Sequence, residues 1–98
     1  MSRVRIEFLG HVRTLAGVRN SVIPLTGNDT PLSSVLKRAE ETYGNLRLFE
    51  EERLLDGIIV FRRRVTGGLE RIDDFDLPAV EEGKAEEEYV IATGMEGG

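Results

Sequence analysis

Hydrophobic and polar residues alternate strictly at the start of the chain. In "VRIEFL", Val4, Ile6 and Phe8 fall on one side, and Arg3, Arg5 and Glu7 on the other. A period of two belongs to a strand with one buried face. A polar, glycine-bounded stretch from Gly10 to Gly17 reads as a loop leading to "NSVIPL", a second strand at hairpin distance. Pro24 has no N–H to give to a ladder, which places this second strand on a sheet edge.

The period then changes. In "DTPLSSVLKRAEETYG", Leu32, Val35, Leu36, Ala39 and Tyr43 recur at i, i+3, i+4, i+7 and i+11, one apolar stripe on a helix over 31–43. Thr30 is the expected N-cap, Pro31 suits the first helical position, and Gly44 is the expected left-handed end. "NLRLFEEERLL" fits either a short helix or a loop that tucks Leu48 and Phe49 under the sheet. "GIIVF" is a compact apolar run and reads as a buried strand, turned by "VTGG" into a short partner at "LERI". Gly67-Gly68 suits the turn, because hairpin turns need residues that tolerate positive φ. The acidic stretch from Asp73 to Lys84, with Pro78 and Gly83, reads as a surface loop, and "EEYVIATG" as a last strand. Ile6, Phe8, Val35, Leu36, Ile59 and Ile91 are the expected core.

The order strand, strand, helix, strand, short strand, strand describes an α+β domain over residues 1–93, a mixed sheet with one main helix packed on one face. If the first and last strands lie side by side they run parallel, and the helical connection supplies the crossover. That arrangement is the β-grasp. Residues 94–98, which close on Gly97-Gly98, carry no pattern and read as a flexible tail.

Composition narrows the chemistry. Ninety-eight residues suffice for one modest core. The absence of cysteine removes disulfides, thiolate zinc sites and a cysteine nucleophile. A net charge of −5 weighs against direct nucleic-acid binding, which needs a clustered basic surface. The basic run Arg62-Arg63-Arg64 reads either as a solvated strand end or as a docking patch for an acidic partner. No apolar run is long enough to span a bilayer, and the opening residues lack the apolar core of a signal peptide, so a cytoplasmic protein without membrane contact is expected. His11 stands alone, and Asp73, Asp74, Asp76 and Glu86-Glu87-Glu88 read as solvated faces, so no metal site is expected. Ser33 and Ser34 suit helix capping better than nucleophilic attack. No catalytic constellation appears, and no bound cofactor is expected.

Several of these segments together resemble the ubiquitin-like sulfur carriers and modifiers, among them the small subunit of molybdopterin synthase, the thiazole-synthesis sulfur carrier and the small archaeal ubiquitin-like modifiers. "VRIEFLGHVRTLAG" looks like their first strand and following loop, "DTPLSSVLKRAEETYG" like their helix, and "IIVFRR" like their third strand. "EEG" before the last strand and the terminal "EGG" match their final segment. Many synthase-type members carry Phe-Pro-Pro where this chain has "IATGME", and the stretch from Arg64 to Lys84 is longer than in compact members, so the acceptor pathway stays open.

The resemblance implies a carrier and substrate rather than an enzyme. An adenylating enzyme of the ubiquitin-activating kind, using ATP, would activate the Gly98 carboxylate, with Gly97 letting the tail thread a narrow cleft. Thiocarboxylate formation would serve molybdopterin synthesis, through the large subunit of the synthase, or tRNA thiolation. Attack by a lysine would instead join Gly98 to a target protein. Lys37 and Lys84 are the only lysines and hence the possible acceptors on the chain itself. Lys37 is the better of the two, because Lys84 lies among the carboxylates of Glu86 to Glu88. A β-grasp interaction module that is never activated is the competing reading.

Overall fold

The computed structural model describes residues 2–26 and 30–93. The alternating start forms β1 (Ser2–Phe8), which pairs antiparallel with β2 (Asn20–Leu25). The main helix α2 (Leu32–Thr42) follows α1 (Gly10–Ala16), and β5 (Ile58–Arg63), β6 (Leu69–Arg71) and β7 (Glu86–Thr93) complete one five-stranded sheet in the order β2-β1-β7-β5-β6. β1 and β7 run parallel at its centre, and the other pairs are antiparallel. β2 with Pro24 lies on the edge, as expected. The arrangement is the β-grasp that the order of elements implied.

Packing follows the two periodicities. Val4, Ile6 and Phe8 of β1 meet Leu32, Val35, Leu36 and Ala39 of α2, and Val60, Tyr89 and Ile91 extend the same core. Tyr43 closes the stripe, with its ring edge-on to Phe8 at 5.9 Å and its hydroxyl 2.8 Å from Ser21 Oγ. Ile59 is a correction to the expected core. Strand alternation places Val60 against Ile91 on the helix side and pairs Ile59 with Ala92 on the opposite face, where Ile59 is only half-buried.

Four further expectations are revised. The Gly10–Gly17 stretch is helix α1 rather than a loop. Val12 and Ala16 are buried, Leu15 packs against the core, and Gly17 ends the helix with φ 78°. Seven residues are too few for the period to stand out among polar neighbours. Secondly, α2 has no side-chain cap from Thr30, Ser33 or Ser34. Pro31 is its N-cap residue, and the free N–H groups of Leu32 and Ser33 donate to the carbonyls of Leu77 (2.9 Å) and Phe75 (3.0 Å). The helix ends at an extended Tyr43 rather than a left-handed Gly44.

Thirdly, the 73–84 segment is therefore more than a surface loop. It caps the helix and buries Ala79 and Val80, and Phe75 packs against the core. Lastly, "NLRLFEEERLL" forms a hairpin of two short strands, β3 (Phe49–Glu50) and β4 (Arg53–Leu54), with Glu51 at φ 59°. Leu46, Leu48 and Phe49 are buried beneath it, so the tucking half of the expectation holds. Glu40 of α2 fixes this segment by accepting the N–H groups of Leu48 (2.6 Å) and Phe49 (2.9 Å).

Candidate functional site

The last described strand carries the chain toward the segment that the sequence marks for chemistry. β7 is held on both sides, parallel to β1 through six residue pairs and antiparallel to β5 through five. At its end, Thr93 pairs with Ile58 as one of those five, and the Leu9 N–H adds a hydrogen bond to the Ile91 carbonyl at 2.9 Å. Gly10, at φ 61°, turns the chain from β1 into α1 close to Thr93, whose Oγ1 lies 3.5 Å from where a Cβ on Gly10 would sit. Residues 94–98 follow, and the expectations placed on Gly97, Gly98 and a tail lie outside the described residues.

The sheet face away from α2 borders this end of β7. Phe61 pairs with Val90 and Ile59 with Ala92, which puts four apolar side chains together on that face. Val90 is buried there, and Leu9, at the end of β1, is 41% exposed. Charged residues flank these groups. Arg63 reaches from β5 across β7, donating to Glu88 at 3.1 Å and to Glu7 of β1 at 3.0 Å. Arg3 and Arg5 converge on Glu86 at 3.0 and 3.2 Å. The hydrogen bond from Arg3, followed by that from Arg5, outweighs partial burial and holds the Glu86 carboxyl below its ordinary range.

The three consecutive arginines divide between the two faces. Arg62 pairs across the strand with Tyr89, on the core side, and its guanidinium binds Glu70 at 2.9 Å and Glu81 at 3.2 Å. Arg64 also reaches Glu70, at 3.1 Å. The hydrogen bond from Arg62 is the main reason that the Glu70 carboxyl is lowered. All three guanidinium groups are thus engaged by carboxylates of the chain itself. Neighbouring Tyr89 is nearly fully buried. Its hydroxyl donates to the Ala79 carbonyl at 2.5 Å, and burial, followed by the charge of Glu87, pushes its pKa up to about 12.

The two lysines lie in different surroundings. Lys37 Nζ is 3.4 Å from Glu52 and 5.6 Å from the centre of the Phe49 ring. Lys84 Nζ is 3.5 Å from Glu87, the one buried charged side chain among the described residues. Sequence reasoning passed over Glu87, grouping it with solvated neighbours. The alternation of β7 contains the signal, because Glu87, Tyr89 and Ile91 share a face. His11 is exposed on α1, and among the described residues no group of three potential ligands could hold a metal ion. No described helix is long and apolar enough to cross a membrane.

No protein-family model matches the chain, and no curated protein sequence matches it. Solved structures do resemble it. Small archaeal modifier protein 1 from Haloferax volcanii superposes with a TM-score of 0.75 at 18% identity, covering 99% of this chain and 100% of that one. The small archaeal modifier protein 1 of Methanosarcina acetivorans gives 0.64 at 21% identity, over 100% and 98% of the two chains. A candidate molybdopterin converting factor subunit 1 from Pyrococcus furiosus gives 0.65 at 12% identity, over 97% and 100%. At these identities the likeness is one of fold, and it spans the full length of each structure.

Proposed function

We propose that this chain is a ubiquitin-like carrier whose Gly98 carboxylate is activated by an ATP-dependent enzyme and then either thiolated or joined to a lysine. The observation that carries the reading is the placement of β7. A central strand, paired with β1 as far as Ile91 and with β5 as far as Thr93, leads directly into the short segment that closes on Gly97-Gly98. The described residues form a continuous hydrophobic core of their own, which supports reading the tail as the reactive part. The shared fold with archaeal modifier proteins and a molybdopterin converting factor subunit supports the same reading.

A carboxylate resists nucleophiles, and adenylation removes that resistance. A Gly98 oxygen attacks the α-phosphorus of ATP, pyrophosphate leaves, and the acyl carbon gains AMP as its leaving group. A persulfide on the enzyme can then displace AMP, and a second thiol cleaves the resulting acyl disulfide to release the thiocarboxylate. A cysteine thiolate in place of the persulfide gives a thioester, which a lysine amine converts to an amide. In this scheme ATP belongs to the activating enzyme. The chain contributes the acyl group and a docking surface, for which the apolar face of Ile59, Phe61, Val90 and Ala92, next to the end of β7, is the best placed. The synthase large subunit or target proteins would be the later partners.

Hydroxylamine trapping tests the activation step without knowledge of the enzyme. The chain is added to lysate of its native host with ATP and hydroxylamine, and its C-terminal peptide is examined by mass spectrometry. A Gly98 hydroxamate that requires ATP is expected. An unmodified carboxylate with and without ATP would support the interaction-module reading instead.

A further inference from the structure

We propose that Glu87 selects the acceptor amine of this chain: by holding Lys84, it leaves Lys37 as the lysine that takes an activated acyl group, such as Gly98 of a second copy. The inference rests on the amide-forming branch of the reading above.

Accessibility alone does not separate the two amines, since each lysine side chain is 41% exposed. Their partners differ sharply. Glu52, beside Lys37, has 88% of its side chain exposed, so water can replace the lysine at little cost. Glu87, beside Lys84, has 3% of its side chain exposed. Lys84 is the one cation paired with it among the described residues. An amine must shed a proton before it can attack. It must also leave its ion-pair partner to reach the acyl carbon, and at Lys84 that departure strands a carboxylate with only 3% of its side chain exposed, which is strongly unfavourable. At Lys37 departure breaks only a solvated ion pair and a contact with the Phe49 ring at 5.6 Å, close to the outer limit for such attraction.

In the transfer step, the lone pair of Lys37 Nζ attacks the acyl carbon of a thioester. The C–N bond forms, the C–S bond breaks with its electron pair going to sulfur, and the proton released by nitrogen passes to the thiolate or to water. Lys84 reaches the same position only after it separates from Glu87.

The test bypasses the activating enzyme. Full-length chain carrying a Gly98 thioester, made by thiol cleavage of an intein fusion, is incubated with unmodified full-length chain. Gly98–lysine linkages are then counted by tandem mass spectrometry. Lys37 linkages are expected to exceed Lys84 linkages several-fold, and Glu87→Gln should raise the Lys84 share toward parity. Equal or greater use of Lys84 in the wild type, no lysine linkage at all, or an unchanged ratio in a folded Glu87→Gln protein would overturn the proposal. Acetylation of the wild type by acetic acid N-hydroxysuccinimide ester gives a second measure that needs no variant. Lys37 should react several-fold faster, and equal rates would overturn the proposal. Because the thioester is made chemically, failure here is distinct from failure of the host to activate Gly98.

Discussion

The hydroxyl of Tyr89, on the central strand, donates a 2.5 Å hydrogen bond to the carbonyl of Ala79 in the segment that caps helix α2. This contact ties the sheet to the helix-capping segment, because the Ala79 N–H in turn donates to the Thr30 carbonyl at 2.8 Å. Burial of Tyr89 links folding to alkaline pH. The Tyr89 pKa is raised to about 12 from an ordinary 10.0, so the folded state holds the proton more tightly than the unfolded chain does. The resulting stability is fully present below pH 10 and is lost as pH rises toward 12.

Tyr89→Phe tests that link. Removing the hydroxyl leaves a buried carbonyl without its donor and should cost about 1–3 kcal/mol at neutral pH. The variant should also lose part of the wild type's decline in stability between pH 10 and 12. Urea titrations of both proteins across this range would show the two curves converging. Parallel curves would mean that Tyr89 does not govern the alkaline transition.

Leu36→Ala probes the interface between helix and sheet. Leu36 is fully buried and belongs to the core shared by α2 and β1, so the truncation should cost about 2–5 kcal/mol. Chemical denaturation provides the value. A loss below about 1 kcal/mol would place the helix outside the cooperative core, since Leu→Ala costs at buried sites start well above that.

Much of this architecture is legible in the chain. Alternation in β1 and the stripe from Leu32 to Tyr43 survive in the structure because each element buries one whole face. What the pattern hides is settled by tertiary contacts. The start of α2 looks like a Thr30 cap, yet the carbonyls of Phe75 and Leu77, more than forty residues away, satisfy its N–H groups. Ile59 looks like core because it stands in an unbroken apolar run, where parity cannot be read. Glu87 looks solvated for the converse reason, since it stands in an unbroken run of charge. The proposed reactive diglycine rests on the sequence alone and lies outside the described residues, whereas the Lys84–Glu87 pair required coordinates.

Arg63 spans three strands, but its partners Glu7 and Glu88 are each about one-third exposed. Solvent-screened pairs of this kind contribute little, so Arg63→Ala should lower stability by no more than about 1 kcal/mol. Its larger effect should fall on any partner that docks against the Phe61–Val90 face. Denaturation and the yield of ATP-dependent Gly98 hydroxamate in host lysate would separate the two consequences. A large stability loss would show that the arginine is a structural staple instead.

Deletion of Gly98 should abolish activation while leaving the melting temperature nearly unchanged, because the described residues up to Thr93 form a continuous core of their own and a terminal glycine has no side chain to add to it. Scanning calorimetry of the truncated and full chains provides the check. A fall of many degrees would assign the tail a structural role.

The most direct measurement concerns the atoms at the end of the chain. The protein should be purified from its native host under mild conditions, and its C-terminal peptide analysed by high-resolution mass spectrometry with and without iodoacetamide. One of two products is expected. One is a Gly98 thiocarboxylate, which iodoacetamide alkylates and which cannot then be confused with an oxidised methionine. The other is Gly98 in amide linkage to a lysine. A free Gly98 carboxylate in every preparation, including those from cells starved of sulfur or grown under stress, would contradict the carrier reading.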